Sequence, residues 1–408
     1  MKKLTFVLSF AILLTSESAG QPREVQRALE FIKSSEPQTL AEQITICEIP
    51  APPFKEEKRA AYFKKRFSEL GLRNVRIDKA GNVIGERPGS SRASTLVLSA
   101  HLDTVFPEGT DTRVTRTDSS LKAPGITDDS RGLVCILSVA RALNEAKINT
   151  EGTVIFVATA GEEGLGDLRG VRHLFDNELK NQITHFVSID GSGNNYTDRA
   201  VGSNRYRVTF KGPGGHSYGA FGLVNPIHAL GRTVEKISRL KVPPQPKTTF
   251  NVGRVEGGTS VNSIPHTAWF EFDMRSENAA ELAKLDSLFK FTVQEALAEE
   301  NESSMSSRKL TAEVNLIGQR PTGTLGAENS MLKAVLSADS ILGIKSESRS
   351  GSTDSNVPIA LGIPSITIPG GGRGEGAHSL NEVFYTRDSH LGPQRALLTV
   401  LSIVGVSK

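Results

Sequence analysis

Three clusters of acid or imidazole stand just past three short apolar runs. His101-Leu102-Asp103 follows STLVLSA (Ser94–Ala100), Gly161-Glu162-Glu163-Gly164 follows the run that opens TVIFVA (Thr153–Ala158), and Asp190-Gly191 follows HFVSI (His185–Ile189). A fourth cluster, Asp128-Asp129, lies in GITDDSRG ahead of a helical stretch, and a fifth residue, His378, lies in GGGRGEGAHSLNE after ITIP. Open α/β sheets bind ligands beyond the carboxyl ends of their strands, so clusters at several such ends point to one site. Imidazole with carboxylate is a donor set for divalent metals that activate water. His101, Asp128, Glu163, Asp190 and His378 together offer three negative charges and two neutral imidazoles. Against two Zn2+ that leaves one positive charge, which a bridging hydroxide balances; Co2+ or Mn2+ suits the same donors. A carboxylate can give one oxygen to each metal, which suits Asp128 to the bridge. Glu162 and Glu163 are neighbours that point apart, so one can ligate while the other stays free as a base. His101 and Asp103 are two apart and would share a face on a strand, as a ligating imidazole and its carboxylate partner do.

The apolar runs that carry these clusters alternate with helical spacing, such as that over Gly132–Ala146, and predict an α/β sheet with helices on its faces. The pattern changes near Ser203. Arg205–Lys211 alternates as a half-exposed strand, Asn225 and Pro226 open a helix, Thr248–Val255 and Ala268–Arg275 are strands, Asn278–Glu300 is a long amphipathic helix and Leu310–Ile317 a last strand. That order is βαββαβ, a ferredoxin-like α+β unit inserted into the larger domain. The expected organisation is a leader over 1–20, a first catalytic segment over 21–203, an inserted lid or dimerisation domain over 204–317, and a second catalytic segment over 318–408. Glu299–Arg308 is expected to be a polar surface loop.

The leader is read from Lys2 and Lys3, an apolar run from Leu4 to Leu14, and small residues after it, the pattern of a secretory signal peptide. The run is too short for a permanent membrane span. A secreted or periplasmic protein with no membrane attachment after cleavage is therefore expected. The 408 residues allow two to three domains. Lys+Arg 48 against Asp+Glu 45 gives only +3, which argues against a nucleic-acid partner. Two cysteines cannot build a thiolate zinc module, and Cys47 and Cys135 are open to pairing or to burial as thiols.

HLDTV, GITDDSRG, ATAGEEGLGDLRG, SIDG, GPGGHS, GGTSVNSIP and GAHSLNE, in this order, resemble the M20 zinc aminoacylase/carboxypeptidase family of metallopeptidases across nearly the whole chain after the leader. The likeness is nearest to its tripeptidase-like and acetylornithine-deacetylase-like branches. It implies a zinc-exopeptidase-like mixed sheet. It implies His101 and Asp190 on one zinc, Glu163 and His378 on the other, Asp128 across both, Glu162 as general base, and Asp103 orienting His101 or tuning the metal. It also implies a homodimer through 204–317, with His216 reaching the partner's site to stabilise an oxyanion. Asn262 and Arg275 would grip a substrate carboxylate, and Asp128–Asp129 is a candidate cis peptide. Ser130 stands where a Lys is common, and Asp190 precedes Gly-Ser-Gly; neither departure removes a ligand.

Gly215–Gly219 fits the G-x-S-x-G elbow of serine hydrolases, but GAFGLVN separates Ser217 from the next helix, so the strand–turn–helix context fails. His173, His185, His228, His266 and His390 lack a partnered motif and are read as structural, as is Asp129. Gly351–Asp354 and Gly370–Gly376 are open to pocket-shaping or ordinary turn roles. The resulting expectation is a dinuclear zinc hydrolase that cleaves an amide in short peptides as an exopeptidase. The alternative is an N-acyl amino acid deacylase; a serine hydrolase or a silent peptide-binding member ranks behind both.

Overall fold

The computed structural model describes residues 21–91 and 93–407, so the leader expected over 1–20 lies outside them. Strands β1 (Arg73–Ile77), β2 (Val83–Arg87), β3 (Thr95–His101), β4 (Thr153–Thr159), β5 (His185–Ile189) and β6 (Tyr196–Ala200) precede a second sheet. That sheet holds β7 (Gly202–Lys211), β8 (Thr248–Gly257), β9 (Thr267–Ser276) and β10 (Thr311–Arg320). The chain then returns with β11 (Gly323–Thr324), β12 (Ser348–Gly351) and β13 (Ser365–Ile368). The main sheet runs β1-β2-β4-β3-β5-β13-β6-β11, with β12 also paired to β6. Its centre, β4-β3-β5-β13, is parallel. This is the mixed α/β architecture expected from the sequence.

The alternation of β3 shows why both faces are covered. Leu96, Leu98 and Ala100 pack into one core with Leu133, Leu137 and Leu397. Val97 points the other way, into a second core with Val171, Phe175 and Phe186. The helix Ser130–Glu145 is buried on nearly every side, from Ser130 through Leu143, and its two buried arginines, Arg131 and Arg141, pair with Glu36 and Glu42. Its first turn is capped by Asp129, which accepts from the Gly132 amide.

The second sheet runs β8-β9-β7-β10, antiparallel throughout. Tyr206, Val208 and Phe210 alternate inward with Phe270, Phe272 and Met274, and meet Leu285, Phe289 and Val293 of the helix Ala279–Ser303. Phe272 and Phe289 stack with centroids 4.5 Å apart. The opposite face carries ion pairs instead, Arg205 with Asp273 and Arg207 with Glu271.

Two expectations about local structure change. The long helix, expected to end at Glu300, continues to Ser303, and Glu300, which the expected polar loop also included, is buried. It accepts from the Asn225 amide at 2.9 Å and from Arg232 Nε at 3.2 Å, so it secures the start of the helix Pro226–Ser238. The closing strand continues past Ile317 to Arg320 through a register shift between Leu316 and Gly318. Cys47 and Cys135 are both buried free thiols. No helix among the described residues is long and apolar enough to cross a membrane.

Candidate metal centre

Parallel pairing aligns the strand ends that carry the clusters. His101 of β3 is registered against Thr159 of β4, and Ile189 of β5 against Ile368 of β13. His101 is the last residue of its strand, Glu162 and Glu163 follow β4 after a short turn, and Asp190 is the first residue beyond β5. The loop before the buried helix supplies Asp128, joined to Asp129 by a cis peptide. His378 comes from the segment after β13 with a left-handed φ of 65°.

His101 Nδ1 lies 3.0 Å from the Asp103 carbonyl. A carbonyl only accepts, so Nδ1 carries the proton and Nε2 faces Asp128 Oδ1 at 2.8 Å. His378 Nε2 lies 3.0 Å from Asp128 Oδ2 and 2.9 Å from Glu163 Oε1. Ligand atoms of His101, Asp128 and Glu163 lie within 4.8 Å of one another, and so do those of His101, Asp129 and Asp190. The structure thus brings together all five residues expected to ligate. Asp129 is spoken for differently. Its oxygens accept from the amides of His101 at 2.9 Å, Gly132 at 3.0 Å and Gly191 at 3.2 Å, tying the ends of β3, the helix and β5.

The electrostatics fit a cation. Burial, then the charge of Asp128, pushes the Asp190 carboxyl well above the ordinary carboxylate range. No donor among the described residues reaches that carboxylate, an arrangement that a positive ion would relieve. Burial disfavours a charged His101, but Asp129, Asp103 and Asp128 outweigh it and hold the imidazole well above its usual value. Hydrogen bonds to Asp128 and then Glu163 hold His378 up to about 10. Burial would raise Asp128, but its bonds to His101 and His378 hold it below the ordinary range. Histidine protons here occupy the space between imidazole and carboxylate that a metal ion would share.

Glu162 is buried beside this cluster. Burial pushes its carboxyl up to about 8, with Arg320 opposing and Glu163 reinforcing the shift. Arg320 Nη1 donates to Glu162 Oε1 at 3.0 Å, and Nη2 donates to the Glu162 carbonyl. Asp103 stays beside His101, as expected, and serves two further groups. Its carboxylate accepts from the amides of Glu162 at 3.0 Å and Glu163 at 2.8 Å, and only its Oδ1 stands near His101 Nδ1, at 3.6 Å. The strand ends at His101, so strand alternation does not govern Asp103, and its backbone carbonyl takes the histidine proton instead.

The remaining expected site residues belong to the second sheet or its loops. His216 is exposed, and its Nδ1 accepts from the amides of Tyr218 and Gly219. The Ser217 amide donates to the Asn262 carbonyl, and Asn262 Oδ1 accepts from Ser260. Arg275 pairs with Asp273 at 2.8 Å. It lines a cavity of about 380 Å³ that also includes Gly164, Leu165 and Arg205. None of these hydrogen bonds reaches the His101 cluster.

Sequence reasoning passed over two supporting residues. Arg320 sits at the end of the last strand of the second sheet, where an Arg normally reads as a surface ion pair. Glu382 lies inside the quoted GAHSLNE motif. It accepts from the amides of Gly125 at 3.0 Å, Thr127 at 2.7 Å and Asp128 at 3.1 Å, and so holds the backbone on either side of Asp128. Its proximity in sequence to His378 was the available signal.

Comparison with known proteins follows the same lines. The profile of peptidase family M20/M25/M40 matches residues 97–401. The uncharacterized protein YqjE of Bacillus subtilis is 26% identical over 370 residues, covering 85% of this chain and 93% of that protein. A succinyl-diaminopimelate desuccinylase of Corynebacterium glutamicum is 22% identical over 347 residues, covering 83% and 89%. Among solved structures, a tripeptidase of Staphylococcus aureus superposes with a TM-score of 0.72 at 22% identity, covering 90% of this chain and 97% of that one.

Proposed function

The chain belongs to peptidase family M20/M25/M40 and is a metallo-hydrolase; from that premise we propose that it cleaves the terminal amide bond of short peptides at a dinuclear zinc centre. The observation that carries this reading is the convergence of His101 and His378 on the two oxygens of Asp128, with Glu163 against His378, Asp190 near His101 and Glu162 buried alongside. His101 and Asp190 would hold one ion, Glu163 and His378 the other, and Asp128 would span them. Two such ions, when bound, activate water and polarise a scissile carbonyl. Glu162 takes the proton from water and gives it to the leaving amine. Its Oε1 is held by Arg320, and its Oε2 accepts no hydrogen bond from the described residues. Asp103 fixes the backbone of both glutamates, so the base and its ligating neighbour keep their separate directions.

In the same reading residues 204–317 form a lid and dimerisation domain. His216 crosses to a second subunit, and Asn262 and Arg275 bind the substrate carboxylate. Arg275 holds Asp273 through Nε alone, which leaves its Nη groups for that carboxylate. The protein is secreted or periplasmic after removal of the leader. Deacylation of an N-acyl amino acid is the second reading, favoured by the likeness to the desuccinylase. A panel of di- and tripeptides beside N-acetyl and N-succinyl amino acids, followed by mass spectrometry, separates the two. Glu162→Gln should keep its metal and lose about 10²- to 10⁴-fold in turnover. Full turnover in that variant would overturn the assignment of the base, and cleavage of acyl amino acids alone would select the second reading.

A further inference from the structure

The turn that carries Glu162 and Glu163 is bound to the second sheet by four residues. Arg320, at the end of β10, holds the side chain and carbonyl of Glu162 and reaches Ser352 Oγ at 3.1 Å. Arg205 of β7 donates to the Gly164 carbonyl at 2.5 Å. Asp167 accepts from the Gln319 amide through both oxygens, at 2.9 and 3.0 Å, and Arg172 donates to the Gln319 carbonyl. The turn is not at rest. Asp167 and Leu168 are consecutive non-glycine residues in the left-handed region, at φ 51° and 62°. Such residues are strained and persist where their surroundings hold them. β7 and β10 are the strands by which the chain enters and leaves the second sheet, and they pair with each other from Ser203–Arg320 onward. A cleft of about 430 Å³, lined by Arg172, Asn204, Gln319, Arg320 and Thr322, opens at that crossing.

We propose that Arg320 is a positioning residue that latches Glu162 to the root of the second sheet, so that the placement of that sheet sets the placement of the base. The guanidinium is buried and two-pronged, which fixes direction as well as distance. A displacement of β10 carries Arg320 with it, and Arg320 carries the Glu162 side chain and backbone. Gln319, its neighbour, moves Asp167 through the other bonds. The latch itself is read from these contacts; its catalytic consequence rests on Glu162 being the base.

The test uses the full-length, metal-loaded protein and three variants, Arg320→Ala, Arg320→Lys and Asp167→Asn. Hydrogen–deuterium exchange of the amides over 162–168 should be faster in Arg320→Ala and Asp167→Asn than in the parent protein, with bound metal per chain unchanged. On whichever member of the peptide and acyl amino acid panel is cleaved, kcat in Arg320→Ala should fall about 10²-fold, as a misplaced group does, with KM nearly unchanged. Added guanidinium should restore part of kcat, and Arg320→Lys should fall between parent and Arg320→Ala. If Arg320→Ala does not fold, Arg320→Lys and Asp167→Asn carry the same readings. Unchanged exchange over 162–168 would overturn the latch, and a loss confined to KM would place Arg320 on the substrate instead. If Glu162→Gln keeps full turnover, the reading of the base fails while the exchange measurement still decides the latch.

Discussion

His101 and His378 come from distant parts of the chain yet point their Nε2 atoms at the two different oxygens of one carboxylate, Asp128, at 2.8 and 3.0 Å. The arrangement makes Asp128 the residue on which both halves of the cluster depend. Asp128→Asn keeps the shape but removes the charge and one acceptor. It should bind less than the full complement of metal, with affinity reduced by more than the roughly 10- to 100-fold usual for a supporting residue. Elemental analysis after dialysis measures this directly, and an unaltered metal content would rule out the bridging role.

Glu382 gives a second expectation. Its carboxylate serves three backbone amides and the Thr127 hydroxyl in a region shut off from water. Glu382→Ala leaves those donors unmet, at about 1–3 kcal/mol for each one that water does not reach. Thermal unfolding should show a loss of several such increments. Glu382→Gln, which retains one acceptor, should unfold between the two and weaken metal binding by about 10- to 100-fold in a chelator competition. Equal stability of all three proteins would contradict the capping role.

Metal removal should make stability depend on pH with a definite sign. Without metal, burial raises Glu162 from 4.5 to about 8. Bonds to Asp128 and Glu163 raise His378 from 6.5 to about 10. Both groups therefore hold protons in the folded state that the unfolded chain has released. Their contribution to stability is lost as pH rises, between about 4.5 and 8 for the carboxyl and about 6.5 and 10 for the imidazole. The chelated protein should unfold at progressively lower temperature from pH 6 to pH 9, while metal affinity climbs over the same interval because binding expels the His378 proton. Calorimetry in buffers of different ionisation heat would register the released protons. A chelated protein that grows more stable across that interval would contradict the protonation states described.

The thiols should be silent. Burial pushes both Cys47 and Cys135 up to about 12. At pH 8 the thiolate fraction falls from about one in ten to about one in ten thousand. Native protein should take up no iodoacetamide over an hour, and two labels per chain once denatured. Labelling of the native protein at the rate of a free thiol would show that one of these sites opens.

Much of the ligand set was legible because a strand end is announced by its apolar run. His101, Glu163 and Asp190 each follow one, and their convergence requires only that the three strands be parallel neighbours. What stayed hidden was the support. Asp129 was read as structural, but nothing in its type or in that of Asp103 says which backbone amides their oxygens accept from. Arg320 meets Glu162 only through the return of the chain from the second sheet, a pairing of distant residues that no local pattern encodes. The extent of the long helix was misjudged at Glu300 for a related reason: a charged residue reads as solvent-facing unless the amide and guanidinium that it serves are known. Alternation in β7 and β9 was readable because aromatic and aliphatic residues fall at every second place.

The position of β13 has a consequence for how the protein comes into being. This strand lies inside the main sheet, between β5 and β6, although it is made after the whole of the second sheet. In the folding chain β5 therefore has one edge uncovered, and Asp190 at its tip with it, until a strand that begins 175 residues beyond Asp190, at Ser365, has docked. His378 emerges later still. A chain cut short before it would possess Glu162 and most of the carboxylates but not the completed cluster, so the centre is assembled only once the C-terminal segment has joined the sheet. Unpaired strand edges invite association, which makes that interval the stage at which a chaperone, or delayed collapse of the sheet, matters most.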